Sequence, residues 1–181
     1  MKELSLNILD ITENSTKAGA QNVTITITET EETLSMSVSD DGCGMMPDFL
    51  QSVTNPFTTT RTTRKVGLGI PLLKLAAEQT GGSMSIESKH ISLHPKEHGT
   101  TTTATFYKNH LDFTPLGDII STLTTLIQGH PDVDFRFEHT SPKRNVRLDT
   151  RELREVLGDV PLDSFEVICW IKDFLGEQYS A

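Results

Sequence analysis

The sequence predicts an α/β (α+β) fold, a two-layer sandwich with helices on one face of a mixed sheet, followed by a small α/β unit at the C-terminus. Two observations carry this. Segments such as "VTITIT", "LSMSVSD", "SMSIES" and "TTTATFY" alternate apolar and small polar residues with period two, the pattern of half-buried strands. Other segments space their apolar residues by three and four, as amphipathic helices do.

Taken in order, Leu4, Ile8, Ile11, Ser15 and Ala18 form one face of an opening helix, with Leu6 and Leu9 beside it and Gly19 as its stop. Val23, Ile25 and Ile27 then share one face of a strand. A polar turn leads to a second strand, so the pair reads as a hairpin. "DDGCGMMP" breaks the chain, and Asp48 to Val53 reads as a short helix. "IPLLKLAAEQTGG" is an apolar helix that tolerates Pro71 in its first turn and ends at Gly81. Two more strands follow, separated by the polar loop "KHISLHPKEHG".

A composition shift between Asn109 and Pro115 marks a boundary, dividing the chain into residues 1–108 and 109–181. In the second part, Leu116, Ile119, Ile120, Leu123, Leu126 and Ile127 keep helical spacing up to Gly129–Pro131. "VDFRFEH" and "NVRLD" read as a hairpin. Two helices close the chain, opened by the capping pairs Asp149 with Glu152 and Asp163 with Glu166.

The bulk composition narrows the function classes. The 181 residues carry a net charge of −9, which argues against nonspecific binding to nucleic acid or anionic membranes. Two cysteines are too few for a disulfide framework, so a reducing cytoplasm is the expected compartment. No apolar run has the length of a membrane span, and the N-terminus does not read as a secretory signal.

Against this acidic background, "NPFTTTRTTRKVGLGI" stands out as positive and hydroxyl-rich, and it runs into a helix through Gly67 and Gly69. Free amides at a helix N-terminus favour phosphate, and Arg61, Arg64 and Lys65 add cations. Taken alone, the stretch also fits a solvated surface loop.

In the first helix, Glu3, Asn7, Asp10, Asn14 and Lys17 form a polar stripe. Such a stripe fits the wet side of an amphipathic helix. It also fits a row in which Asn14 ligates Mg2+, Asp10 orients or deprotonates a nucleophile and Lys17 neutralises phosphate. Asp40 is in phase with Leu34, Met36 and Val38, so its carboxylate points inward and needs a donor, such as the exocyclic amine of a purine. Gly42 and Gly44 after it allow a tight turn beside a flat ring, although an ordinary Asp-Gly turn has the same letters.

Four motifs in order, "DITENSTKAGA", "DDGCGM", "PFTTTR…VGLGI" and "HGTTTTATF", resemble the Bergerat ATP-binding fold (the GHKL superfamily) of DNA gyrase, heat-shock chaperone ATPases, histidine kinases and MutL proteins. The resemblance covers about residues 1 to 107 and implies binding of ATP and Mg2+. It implies that Asn14 holds Mg2+, that Asp40, flanked by Gly42 and Gly44, reads the adenine amine, and that Thr100 joins Asp40 through water. It further implies that Gly67 and Gly69 lie at the phosphates, that Arg61 is the basic residue of an ATP lid, and that Lys17 is the basic position common in the kinase branch.

Three departures qualify the resemblance. Asp10 stands where the ATPases of the group carry a catalytic Glu, with Glu13 as a possible substitute. Lys65 replaces the first glycine of the lid motif. Only nine residues precede Asp10, too few for a phosphoacceptor helix, so a protein partner or phosphoacceptor in trans is expected. The functions implied are a trans-acting protein kinase of histidine or serine type, or a slow ATPase. The alternative is a nucleotide-responsive binding module with little turnover. His90, His94 and His98 are disfavoured as a metal set because Pro95 interrupts them in a polar loop. Cys43 is expected beside the adenine edge without a catalytic role. Trp170 and Phe174 fit either the core of the C-terminal unit or a partner-binding face.

Overall fold

The computed structural model describes residues 3–53 and 68–181. The chain runs α1 (Leu4–Lys17), β1 (Asn22–Glu29), β2 (Thr33–Asp40), α2 (Pro47–Ser52), α3 (Gly69–Gln79), β3 (Ser83–Lys89), β4 (Gly99–Tyr107), α4 (Ile119–Gly129), β5 (Asp134–Thr140), β6 (Asn145–Asp149), α5 (Thr150–Leu157) and α6 (Phe165–Ser180). The strands form one six-stranded sheet in the order β3-β4-β2-β1-β5-β6. Its neighbours are antiparallel except β1 and β5, which are parallel, so the sheet is mixed as predicted.

Period-two alternation builds this sheet directly. Val23, Ile25 and Ile27 of β1 pair with Asp40, Val38 and Met36 of β2 on one side and with Phe135, Phe137 and His139 of β5 on the other. The same face continues through Thr102, Ala104 and Phe106 of β4. Leu4, Ile8 and Ile11 of α1, Leu73 and Ala77 of α3, Leu123 and Leu126 of α4, and Ile171 and Leu175 of α6 join these residues in one hydrophobic core. On β1, β2 and β4 the opposite face is made largely of small hydroxyl residues, while Glu87 of β3, Arg136 and Glu138 of β5 and Arg147 of β6 flank them. Cross-strand bonds there include Ser35 to Thr105 at 2.9 Å and Ser39 to Thr101 at 2.8 Å.

Residues beyond 109 have the predicted helix–hairpin–helix–helix order, and their strands join the same sheet at the β1 edge. Local details differ at three points. Leu116 precedes α4, because the helix begins after Asp118, whose carboxylate accepts the Ser121 amide at 3.0 Å. Gly117, at φ 78°, makes the turn into it. Asp163 is not the cap of α6; Ser164 is, one residue later. Asp149 does cap α5, accepting from the Arg151 amide at 2.9 Å, but Glu152 does not complete a box. It bonds Arg147 at 2.7 Å instead, since a charged partner outcompetes a neutral amide. No helix among the described residues is long and apolar enough to cross a membrane.

Candidate nucleotide site

The polar stripe of α1 divides into two parts. Asn7 is buried, and Glu3 accepts from the Ser5 hydroxyl and the Asp118 amide, so this end ties α1 to the entry of α4. The other end is open. Asp10, Glu13, Asn14 and Lys17 line a cleft of about 420 Å3 whose far wall is Leu68, Gly69 and Leu72 at the start of α3. A Cβ on Gly69 would lie 3.4 Å from the Asp10 Cβ, an ordinary contact distance, so the head of α3 stands directly opposite Asp10 across the cleft. Carboxylates and an amide oxygen suit a hard cation, and Lys17 together with the first amides of α3 suits phosphate. The residues present therefore fit a magnesium-bound polyphosphate.

Burial raises the Asp10 pKa above its ordinary value; Lys17 opposes the shift and Glu13 adds to it. That is the direction for a base that must pick up a proton near neutrality. Glu13 is held differently: both of its oxygens lie 3.1 Å from Nε2 of His130, the residue that closes α4.

At the inner end of α1, Ser15 donates to Asp40 at 2.6 Å, the Gly42 amide donates to its other oxygen at 2.8 Å, and the Thr100 amide donates to that same oxygen at 3.3 Å. Asp40 also lines a second cleft, about 230 Å3 in volume, whose walls include Glu87, Ser88, Lys89, Glu97, His98 and Thr100. The Thr100 hydroxyl bonds Ser88 at 2.7 Å, and the Ser88 oxygen also accepts the Met45 amide at 2.7 Å. The loop after Asp40 is locked to α1 by the Cys43 amide bonding the Ala18 carbonyl at 2.9 Å. His98 bonds the Gly42 carbonyl at 2.6 Å, and His90 bonds the Ser92 hydroxyl at 2.8 Å, so these rings serve the loops. Asp41 anchors the start of β1. Although burial pushes its pKa up, bonds from the Asn22 side chain and amide and from the Gln21 amide hold it below the ordinary range.

Two glycines make this corner possible. Gly44 has φ 74° and its Cβ would fall 2.0 Å from the Lys89 carbonyl oxygen; Gly99 has φ 138° and its Cβ would fall 1.9 Å from that of Asp40. Gly99→Ala is therefore expected to destabilise the fold by about 1–3 kcal/mol, through backbone strain at the β2–β4 corner. Urea unfolding measures it, and an unchanged midpoint would contradict the close approach.

The structure brings Asp10, Glu13, Asn14, Lys17 and Gly69 to one cleft and Asp40 and Thr100 to a second, while Gly42 and Gly44 lie in the turn that follows Asp40, where the Gly42 amide bonds its carboxylate. Arg61, Lys65 and Gly67, together with Arg64, lie outside the described residues. Sequence reasoning missed the polar role of Ser15, read as part of the apolar face, and it missed Ser88 and His130. Ser15 had a usable signal, being a hydroxyl on the buried side one turn from Ile11. His130 had none, since 117 residues separate it from Glu13.

The family described as histidine kinase-, DNA gyrase B-, and HSP90-like ATPase matches residues 1–110. Sensor protein SrrB of Staphylococcus aureus is 31% identical over 94 residues, a match covering 49% of this chain and 16% of SrrB. The chain therefore spans only a small part of the length of such relatives. Among solved structures, the N-terminal domain of a DNA repair protein superposes with a TM-score of 0.57 at 18% identity, covering 82% of this chain and 52% of that one. The Aquifex aeolicus MutL ATPase domain complexed with ADP superposes at 0.55 and 14% identity, covering 87% of this chain and 69% of that one. At such identities the likeness is one of fold.

Proposed function

We propose that this chain, which belongs to the histidine kinase-, DNA gyrase B- and HSP90-like ATPase family and so carries an ATP-binding domain of that type, hydrolyses ATP or transfers its γ-phosphate to a protein in trans. The observation that carries the reading is the pairing of two sites by one helix. Asp40, fixed by three donors, suits an adenine amine, while Asp10, Asn14 and Lys17 line the cleft at the head of α3.

Each residue has a separable task. The Asn14 amide oxygen would hold Mg2+, which when bound offsets charge on the triphosphate. Lys17 and the first amides of α3 face the phosphates. Asp10 takes the proton of the attacking water or acceptor group as the bond to the β-phosphate breaks and ADP leaves. His130 positions the Glu13 carboxylate at the cleft wall. In this reading Arg61 and Lys65, which lie outside the described residues, supply cationic charge for the phosphates, and a protein partner or phosphoacceptor supplies the acceptor in trans. Residues 1–108 carry this chemistry, and residues 109–181 contribute His130.

A second reading keeps the site and removes the turnover. Asp10 is one methylene shorter than glutamate, and Glu13 is already engaged by His130, so ATP would order the site for a partner without being consumed. Single-turnover release from γ-labelled Mg·ATP at enzyme excess separates the readings. The native chain is expected to release label, and Asn14→Ala to need roughly 10- to 100-fold more Mg2+ for the same rate. Bound but intact ATP would favour the second reading, and failure to bind any adenine nucleotide would sink both.

A further inference from the structure

An apolar cleft of about 370 Å3 lies between α5 and α6, remote in sequence from the nucleotide site, lined by Leu153, Val156, Leu157, Val160, Val167 and Trp170 with Glu166 at its edge. It is open to water: Val156 is 85% exposed, Trp170 49% and Val160 48%. Trp170 is stiffened by stacking on Phe174, with ring centroids 4.8 Å apart and planes 12° from parallel. Exposed apolar side chains gathered around one cleft mark a surface suited to binding.

The charge around the cleft says what binds. Residues 150–180, which span α5, α6 and the turn between them, hold seven carboxylates against the three cations Arg151, Arg154 and Lys172, and the stretch nearest the cleft, 155 to 171, has Glu155, Asp159, Asp163 and Glu166 and no Lys or Arg. All four carboxylates are exposed. The C-terminal end of α5, at Leu157, adds the partial negative charge of its last carbonyls. A rigid aromatic slab with Glu166 at its edge, on a net-acidic pair of helices, matches a cation, since a Lys or Arg can lie over the ring while its charge meets the acid. A second copy of this chain is a poor occupant, because a two-fold contact would set carboxylates against carboxylates. Nucleic acid and anionic lipid carry the same wrong sign.

We propose that the α5–α6 cleft docks a cationic amphipathic helix of a partner protein, with its apolar stripe in the cleft and its Lys and Arg residues on the acidic rim. The docking site is independent of the nucleotide reading, and Trp170, the sole tryptophan, reports on it directly.

The test titrates the full chain with an 18-residue amphipathic Leu/Lys peptide and, separately, with a Leu/Glu peptide of the same pattern. The Leu/Lys peptide is expected to shift Trp170 emission to saturation at one peptide per chain, and the Leu/Glu peptide is not. Val156→Lys, at a solvent-facing position, is expected to weaken binding at least tenfold. The double variant Asp163→Lys/Glu166→Lys is expected to reverse the preference, with circular dichroism confirming an unchanged fold. Equal affinity for both peptides, or undiminished binding by Val156→Lys, overturns the proposal. A native dimer by light scattering that Val156→Lys dissolves also overturns it, by assigning the cleft to a second copy.

Discussion

Asp40→Asn is expected to weaken ATP binding about 100-fold, equivalent to about 2.7 kcal/mol, while the fold persists. A carboxylate offers about four acceptor positions. Three are taken by Ser15 and by the amides of Gly42 and Thr100, leaving one for the amine of a purine. Asparagine keeps its oxygen toward the two amides, because the reverse would set donor against donor. Its NH2 then occupies the position that faces Ser15 and the base. Ser15 can turn its hydroxyl to accept, so the protein adapts. The adenine amine cannot, and it meets a donor in a desolvated corner. Nucleotides with an acceptor at that ring position should lose less, so the preference for ATP over GTP should relax in the variant. Calorimetric titration of both nucleotides measures this, with urea unfolding as the check on fold. ATP affinity within threefold of native would remove Asp40 from base recognition.

How much of this was legible in advance depends on the range of each interaction. The strands were visible because "VTITIT" and "LSMSVSD" carry their own period, and the side of the sheet that Asp40 faces follows from counting back to Met36 and Val38. The helix stops at Gly19 and Gly81 were likewise local, since both need positive φ, at 80° and 85°. Strand order was not local. Nothing in "VDFRFEH" says that it runs parallel to β1 rather than standing at a new edge; that follows from α4 packing beside α1. The cap of α6 failed for a different reason, since Asp163 and Ser164 both suit an N-cap and only the course of the preceding turn chooses between them.

The same distinction separates the parts of the candidate site. Asn14, Lys17 and Asp10 are spaced on one helix, so their common exposure is readable. The donors that orient Asp40 come from α1, from its own turn and from β4, and only assembly brings them together. Glu13 shows this most clearly. Its sequence neighbours mark it as a carboxylate one position from Asn14, whereas its bond to His130 makes it the link between the nucleotide cleft and the end of α4. That link bears on which carboxylate acts as base.

Asp10→Asn is expected to slow phosphate release by roughly 100- to 10,000-fold, and at the same time to make the protein slightly more stable at neutral pH. Both follow from one fact. Burial first, with Glu13 adding and Lys17 opposing, raises the Asp10 pKa above that of the unfolded chain. Between the two pKa values the folded chain holds the proton more tightly, so stability falls as pH rises through that window. Above it the ionised carboxylate is a standing cost, which asparagine removes; below the unfolded value the two proteins should have equal stability. Turnover runs the other way, because a base must be ionised: the native rate should fall as pH drops through the raised pKa. Glu13→Gln serves as the control, since Glu13 is bonded to His130 and is expected to cost no more than about tenfold. If Glu13→Gln abolishes release while Asp10→Asn does not, the base is Glu13, with His130 orienting it. If Asp10→Glu sharply accelerates release, the natural aspartate is tuned to hold ATP rather than spend it, and the reading without rapid turnover takes precedence.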